Sequence, residues 1–407
     1  MKKIVAVCLL LVFLTGCGIL VEDSYLSVEK HSEQPTEPTE STDAEETVIS
    51  NRNELRGTVL SRIRDWVEYD LLTVRNYDGD LQADLTEIVR HATDEDPIGA
   101  YAVDFIDAQL SGDAASGSIE LSIVFRRSAA EVDSIITVST TSIALRRIQA
   151  ALTSYETALT LRIRNYEQTD FIAEIRDYCL KNLNIVAAVP ETSAAVYPPT
   201  GETRILELHF TYPATRETMS EQLASANTIL TSAANYIKHG ESDSERLELL
   251  ANFLTTRFQY RLAGTIPSMP AYELLCEHVA HSTSFAAVFR YECALAGIDC
   301  WIVSGEKDGL PYDWNIVSID GVYYHVDLMR SIERNESGLN LLHSWQLQSE
   351  GYTWDAELYP DNPDTEPYVP QESTSTQSTE PTESTQEAEP TEESTQEPEP
   401  SESEENN

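Results

Sequence analysis

AYELLCEHVAHSTSFAAVFRYECALAGIDCWIVSG, residues 271–305, holds a loop, a helix and a strand in one short run. HSTSFAAVFRYECALAGI reads as a helix that stops at Gly297, a helix-ending residue. DCWIVSG then reads as a strand. Upstream, SDSERLELLANFLTTRFQYRL offers Ser and Asp at a cap and Leu247, Leu250, Leu254 and Phe258 on one face, which predicts a further helix. Downstream, YDWNIVSIDGVYYHVDLM is a β-hairpin turned on Asp320-Gly321, and GYTWDAELYP closes the domain. Alternation along the hairpin sets Tyr312, Trp314 and Ile316 on the face of His325 and Asp327.

This order of elements, with Ala271-Tyr272, Phe285, Ala286 and Phe289, AGIDCWIVSG at 296–305 and WNIVSIDGVYYHVD at 314–327, resembles the transglutaminase-like superfamily, the bacterial branch of the papain-like cysteine hydrolase fold. The resemblance covers residues 240–361. It implies a nucleophilic cysteine at the start of the helix, a histidine two residues before the Trp-Asn pair and an acid at the end of the hairpin. In this sequence the cysteine position holds Ser282, the histidine position holds Tyr312 within the pair Tyr312-Asp313, and only the acid, Asp327, remains. The glycine that usually precedes the cysteine loop is His278.

The chemistry of that family needs a thiolate, made at a helix N-terminus beside an imidazole, to attack an amide or ester carbonyl. A serine hydroxyl is far less acidic and depends on a strong adjacent base, and a neutral phenol is more donor than base. Two of three triad roles are therefore lost together. His278 on the approach loop and His325 in the hairpin are the substitute bases to consider; His281 adjoins Ser282 but starts the helix. Trp314 and Tyr272 are the aromatic residues expected on a ligand groove, although Trp314, like Phe285, also fits a core. The Ser282 and Tyr312 hydroxyls serve equally to fill the space of a thiol and an imidazole.

Residues 50–235 form a separate α+β module of α/β type, of no legible role. NELRGTVLSRIRDWVEYDLL, SIALRRIQAALTSY and TDFIAEIRDYCLKNL have helical period; GSIELSIVFRR, ALTLRIRNY and TRILELHFTY alternate as strands; ATRETMSEQLASANTILTSAANYI is a long amphipathic helix. IELSIVFRRSAAEVDSII and ILELHFTYPATRETMSEQL echo one another, each passing from strand through a polar turn to helix; two related units and coincidence both account for this. Cys179, Cys276, Cys293 and Cys300 are too few for a disulfide scaffold, and Cys293 and Cys300 are either paired or free thiols.

The ends carry different chemistry. MKKIVAVCLLLVFLTGCG has the layout of a secretory signal, and Leu14 to Cys17 resembles the bacterial lipobox, which implies diacylation of Cys17 and a lipid anchor. Residues 1–17 are thus expected to be a signal peptide, 18–49 a disordered acidic linker and 362–407 a disordered Ser/Thr/Pro/Glu-rich tail. The formal charge of −42 excludes nucleic acid as a partner and disfavours electrostatic membrane binding. No metal-ligating spacing and no cofactor loop is visible. The expectation is a membrane-anchored lipoprotein on the extracellular face of the bacterial cytoplasmic membrane. Its transglutaminase-like domain is then catalytically silent and binds or scaffolds a peptide, protein or cell-wall polymer. The alternatives are an active serine-type acyl hydrolase or transferase using Ser282 with a relocated histidine, and a purely structural surface protein.

Overall fold

A computed structural model describes residues 46–361; the signal segment, Cys17 and the C-terminal tail lie outside them, as does most of the N-terminal linker. The fold is mixed α+β. The chain divides into two compact units, one made of 46–144, 159–169 and 194–208, the other of 145–158, 170–193 and 209–361.

The first unit opens with strand β1 (Val48–Asn51), so the linker expected to run to residue 49 ends sooner. Helix α1 (Arg52–Arg64) follows, with Asn51 accepting the Glu54 N–H as its cap, and then strand β2 (Tyr69–Asp78). The helical stretch read to Leu72 is therefore split. Trp66 takes a left-handed φ of 57° and turns the chain, and the alternating residues beyond it pair as a strand. Helices α2 (Leu81–Asp94), capped by Asp80, and α3 (Pro97–Ala102) lead to the antiparallel strands β3 (Val103–Gly112) and β4 (Ser116–Phe125). The strand order is β1-β2-β4-β3. Leu55, Val59 and Ile63 of α1 and Leu85 and Ile88 of α2 pack with Leu72, Val74, Ile119, Leu121 and Ile123 on one face of this sheet. On the other face Tyr69, Leu71, Phe105 and Val124 are exposed.

After helix α4 (Ala129–Asp133) the same path is drawn again: strand β5 (Ile136–Thr140), helix α5 (Thr141–Thr153), strand β6 (Ala158–Asn165), helix α6 (Phe171–Lys181), then strands β7 (Glu191–Tyr197) and β8 (Arg204–Thr211). The order is β5-β6-β8-β7, with β5 parallel to β6 as β1 is to β2. Sequence details repeat with the topology. Arg75-Asn76-Tyr77 answers to Arg164-Asn165-Tyr166, and Ile119-Glu120-Leu121 to Leu206-Glu207-Leu208. Asp80 and Asp170 both cap the second helix. Trp66 and Tyr155 share the left-handed conformation, φ 57° and 54°, and each rests on an aromatic at the end of the last strand, Phe125 at 4.7 Å and Tyr212 at 5.8 Å. The echo is thus one of two related units.

The second unit holds helices α7 (Arg216–Ile237) and α8 (Asp243–Thr256), strand β9 (Arg261–Leu262), helix α9 (Pro270–Leu275), strand β10 (Val279–Ala280) and helix α10 (Ser282–Ala296). Strands β11 (Cys300–Lys307), β12 (Leu310–Ile319) and β13 (Val322–Val326) follow, then helices α11 (Leu328–Arg334) and α12 (Ser344–Ser349) and strand β14 (Tyr352–Thr353). The sheet order is β13-β12-β11-β14, antiparallel throughout, and Ile319 faces Val322 across the Asp320-Gly321 turn as expected. Leu230 and Ile237 of α7, Leu250 and Leu254 of α8 and Phe285, Val288 and Phe289 of α10 form one core with Val317 and Val326. The opposite sheet face carries a smaller core of Val303, Trp314, Ile316, Leu347 and Tyr352.

Candidate functional site

Helix α10 places the site. His281 is its cap, the imidazole Nδ1 accepting the Thr283 N–H at 3.2 Å, and Gly297 ends it in the left-handed conformation. Ser282 is therefore the first helical residue, where backbone N–H groups favour an anion. Strand β12 runs beside it, fixed by Asn315, whose Nδ2 donates to the Ala286 and Trp301 carbonyls at 3.0 and 3.2 Å. Alternation then turns Asp313 and Asn315 toward the helix and Tyr312 and Trp314 away.

Tyr312 and Asp327 meet as their positions imply. The Tyr312 hydroxyl donates to Asp327 Oδ1 at 3.3 Å, Tyr352 donates to Oδ2 at 2.6 Å, and the Arg330 N–H donates to Oδ1 at 2.9 Å. Asp327 is thus the cap of α11 and the acceptor of two phenols. Burial raises its pKa, opposed by these donors, and burial with the Asp327 charge pushes both phenols far up.

Ser282 is buried and accepts a single hydrogen bond, from the Asp313 N–H at 3.4 Å; among the described residues no base takes its proton. The space beside it belongs to the Asp313 carboxylate. Oδ2 accepts from Thr283 Oγ1 at 2.5 Å and Arg176 Nη2 at 2.6 Å, and Oδ1 accepts from Ser304 Oγ at 2.7 Å. Arg176, on α6, also donates to Ser304 Oγ at 3.1 Å. An anion already held by three donors occupies the helix start.

The substitute bases do not reach the serine. His325 Nδ1 accepts from Trp314 Nε1 at 2.8 Å, its Nε2 lies 3.0 Å from Ser344 Oγ, and burial lowers its pKa to about 4. His278 packs against Phe258 at 4.8 Å with the rings tilted by 35°, and lies edge-on to Tyr260 at 6.4 Å. Its φ of 57° lies in the left-handed region that favours glycine. His281 spends Nδ1 on its cap, and burial lowers its pKa.

Trp314 is not a groove residue: at 1% exposure it is core, its ring 5.3 Å from Tyr352 and 5.4 Å from Trp354. Tyr272 is half-buried against the main core. The depression near α10 is instead lined by Phe258, Tyr260 and Leu262 on one side and Ile332, Glu333 and Glu336 on the other, about 500 Å³ in volume. Tyr260 joins it to α10 through Phe285, 5.2 Å away. Sequence reasoning missed this wall. It also missed Arg176, which lies more than a hundred residues from its partner and has no local signal. Thr283 had one, in the hydroxyl run HSTS.

Cys179, Cys276, Cys293 and Cys300 are free, and among the described residues no cluster of His, Cys, Asp or Glu is placed to hold a metal. No described helix is long and apolar enough to cross a membrane.

No family model and no curated protein matches this chain. Among solved structures it is similar to a TGase, at 10% identity and a TM-score of 0.23, over 51% of this chain and 60% of that one. The chain so spans about three fifths of the TGase's length. It is also similar to a candidate cysteine protease from Cytophaga hutchinsonii, at 13% identity and a TM-score of 0.23, over 41% of this chain and 71% of the other.

Proposed function

We propose that residues 240–361 are a transglutaminase-like domain that performs no acyl transfer and binds a peptide, protein or cell-wall polymer, in a lipoprotein tethered through Cys17 on the outer face of the cytoplasmic membrane. The observation that carries the silent reading is the hydrogen bonding of Ser282. Its lone pair takes an N–H, its proton meets no base, and the neighbouring carboxylate is held by Arg176, Thr283 and Ser304. Attack on a carbonyl would need that proton removed and would build an oxyanion beside a fixed negative charge, so both halves of the step are opposed. The depression walled by Tyr260, Leu262 and Glu333 suits an extended ligand with polar groups and apolar spacers.

The test has two arms. Activated esters and peptide amides should be left intact, with no covalent adduct on Ser282; turnover that disappears in Ser282→Ala would overturn the reading. Purified peptidoglycan should sediment the full chain saturably, and Leu262→Asp should weaken this several-fold; indifference to that substitution moves the ligand elsewhere. Palmitate labelling that survives Cys17→Ser would remove the anchor.

A further inference from the structure

The repeated unit shows what its sheet can carry on its outer face. In the second copy that face is filled. Glu207 of β8 is buried, with Arg127 Nη2 donating to Oε2 at 2.7 Å and the Tyr101 hydroxyl donating to Oε1 at 3.4 Å. The Arg127 guanidinium lies 5.1 Å over the Tyr101 ring, so an arginine and an aromatic arrive as one block. Ile205 beside Glu207 is fully buried with Tyr101, Ala102 and Tyr197.

In the first copy the equivalent face is open to solvent, and the carboxylate there is hydrogen-bonded by the Tyr69 phenol of β2. Glu120 answers to Glu207 within Ile119-Glu120-Leu121, stands on the same side of the strand, and is exposed. It lies between Leu71 of β2 and Gln109 of β3, with Val124 and Phe105 paired two rows farther along the same face. Tyr69, Leu71 and Phe105 are each more than half exposed. Scattered apolar residues are ordinary on a surface, but Leu71 beside Glu120, Tyr69 one row on and the Phe105–Val124 pair a row beyond run along one sheet face as a patch. Among the described residues no arginine or lysine is paired with Glu120.

We infer that this face is a docking surface for a basic protein segment that offers an arginine beside an aromatic ring, with Glu120 as the acceptor at its centre. Charge selects the occupant. Asp107 adds a second carboxylate to the face, and a formal charge of −42 sets a second copy of this chain against it. Leu71 opposite Glu120 and Tyr69 one row away are the apolar surface with which a partner would exclude water from the pair, which is the condition for a strong contact.

The probe is a short labelled peptide of alternating arginine and tyrosine, titrated against the full chain at about physiological salt, where bulk attraction to the acidic chain is screened. Replacing its tyrosines by serine should weaken binding roughly tenfold, and so should Leu71→Asp or Glu120→Arg in the protein. Glu120→Arg changes the total charge little, so such a loss reports the site. Val124→Asp serves on the same face if circular dichroism shows that Leu71→Asp is unfolded. The inference fails if the arginine-tyrosine and arginine-serine peptides bind alike, or if these variants leave binding unchanged. It fails equally if sedimentation shows self-association that Leu71→Asp abolishes, because the face then belongs to a second copy.

Discussion

At the scale of single residues, the surroundings of position 282 decide what a nucleophile there could do. Ser282→Cys would introduce a sulfur but not its ionisation. The thiol would be buried beside the Asp313 carboxylate, with no imidazole hydrogen-bonded to it, so its alkylation by iodoacetamide should have a midpoint above about 8.5. A midpoint below about 7 would mean that a cation or base reaches it. Asp313 itself is structural. Asp313→Ala removes three side-chain hydrogen bonds and strands Arg176, and because that arginine is partly exposed the cost in urea unfolding should be about 2–3 kcal/mol. A cost under half of that would show that water already competes for the pair. The contact of Tyr312 with Asp327 was legible in the sequence, because alternation along the hairpin sets both on one face. Arg176 was not, since nothing in a local pattern says which distant helix will supply a counter-charge.

At the scale of elements, the helix and the sheet each hold a testable strain. Glu292 on α10 is fully buried, both carboxyl oxygens lack a hydrogen-bond partner among the described residues, and burial pushes its pKa up to about 8. The folded state then holds a proton that the unfolded chain releases near pH 4.5. Stability from this group is therefore present at acid pH and lost as pH rises through about 8. Glu292→Gln should leave the melting temperature unchanged near pH ~5 and gain a few kcal/mol near pH ~9; equal melting of the two proteins at the higher pH would show that the carboxylate finds water. In the sheet, the glycine ending AGIDCWIVSG has a packing reason. A Cβ on Gly305 would lie 2.3 Å from the Thr353 carbonyl oxygen and 2.8 Å from the Trp314 ring, neither of which can yield cheaply. Gly305→Ala should cost about 2 kcal/mol or more and free β14 to faster amide exchange. The hairpin, α10 and its Gly297 stop were readable from period and turn chemistry. The split at Trp66 was not, because an aromatic residue at positive φ carries no warning in its identity.

At the scale of the molecule, a formal charge of −42 makes self-repulsion a measurable term. Raising salt from about 10 to about 150 mM should raise the melting temperature by a few degrees, as screening relaxes repulsion faster than it weakens exposed ion pairs. A fall would mean that the arginine–carboxylate pairs dominate. The two related units were legible only as an echo, since strand order and crossover direction are not written in alternation. The way the chain threads its two compact units, a division that cuts across the two repeats, has a practical outcome. It visits the first three times and the second three times, at 46–144, 159–169 and 194–208 against 145–158, 170–193 and 209–361. No single cut in the polypeptide frees either one whole. A fragment cloned from residue 240 onward would leave behind Ala226, Leu230, Ala233 and Ile237, which close the core around α10, and should come off the ribosome as an insoluble product.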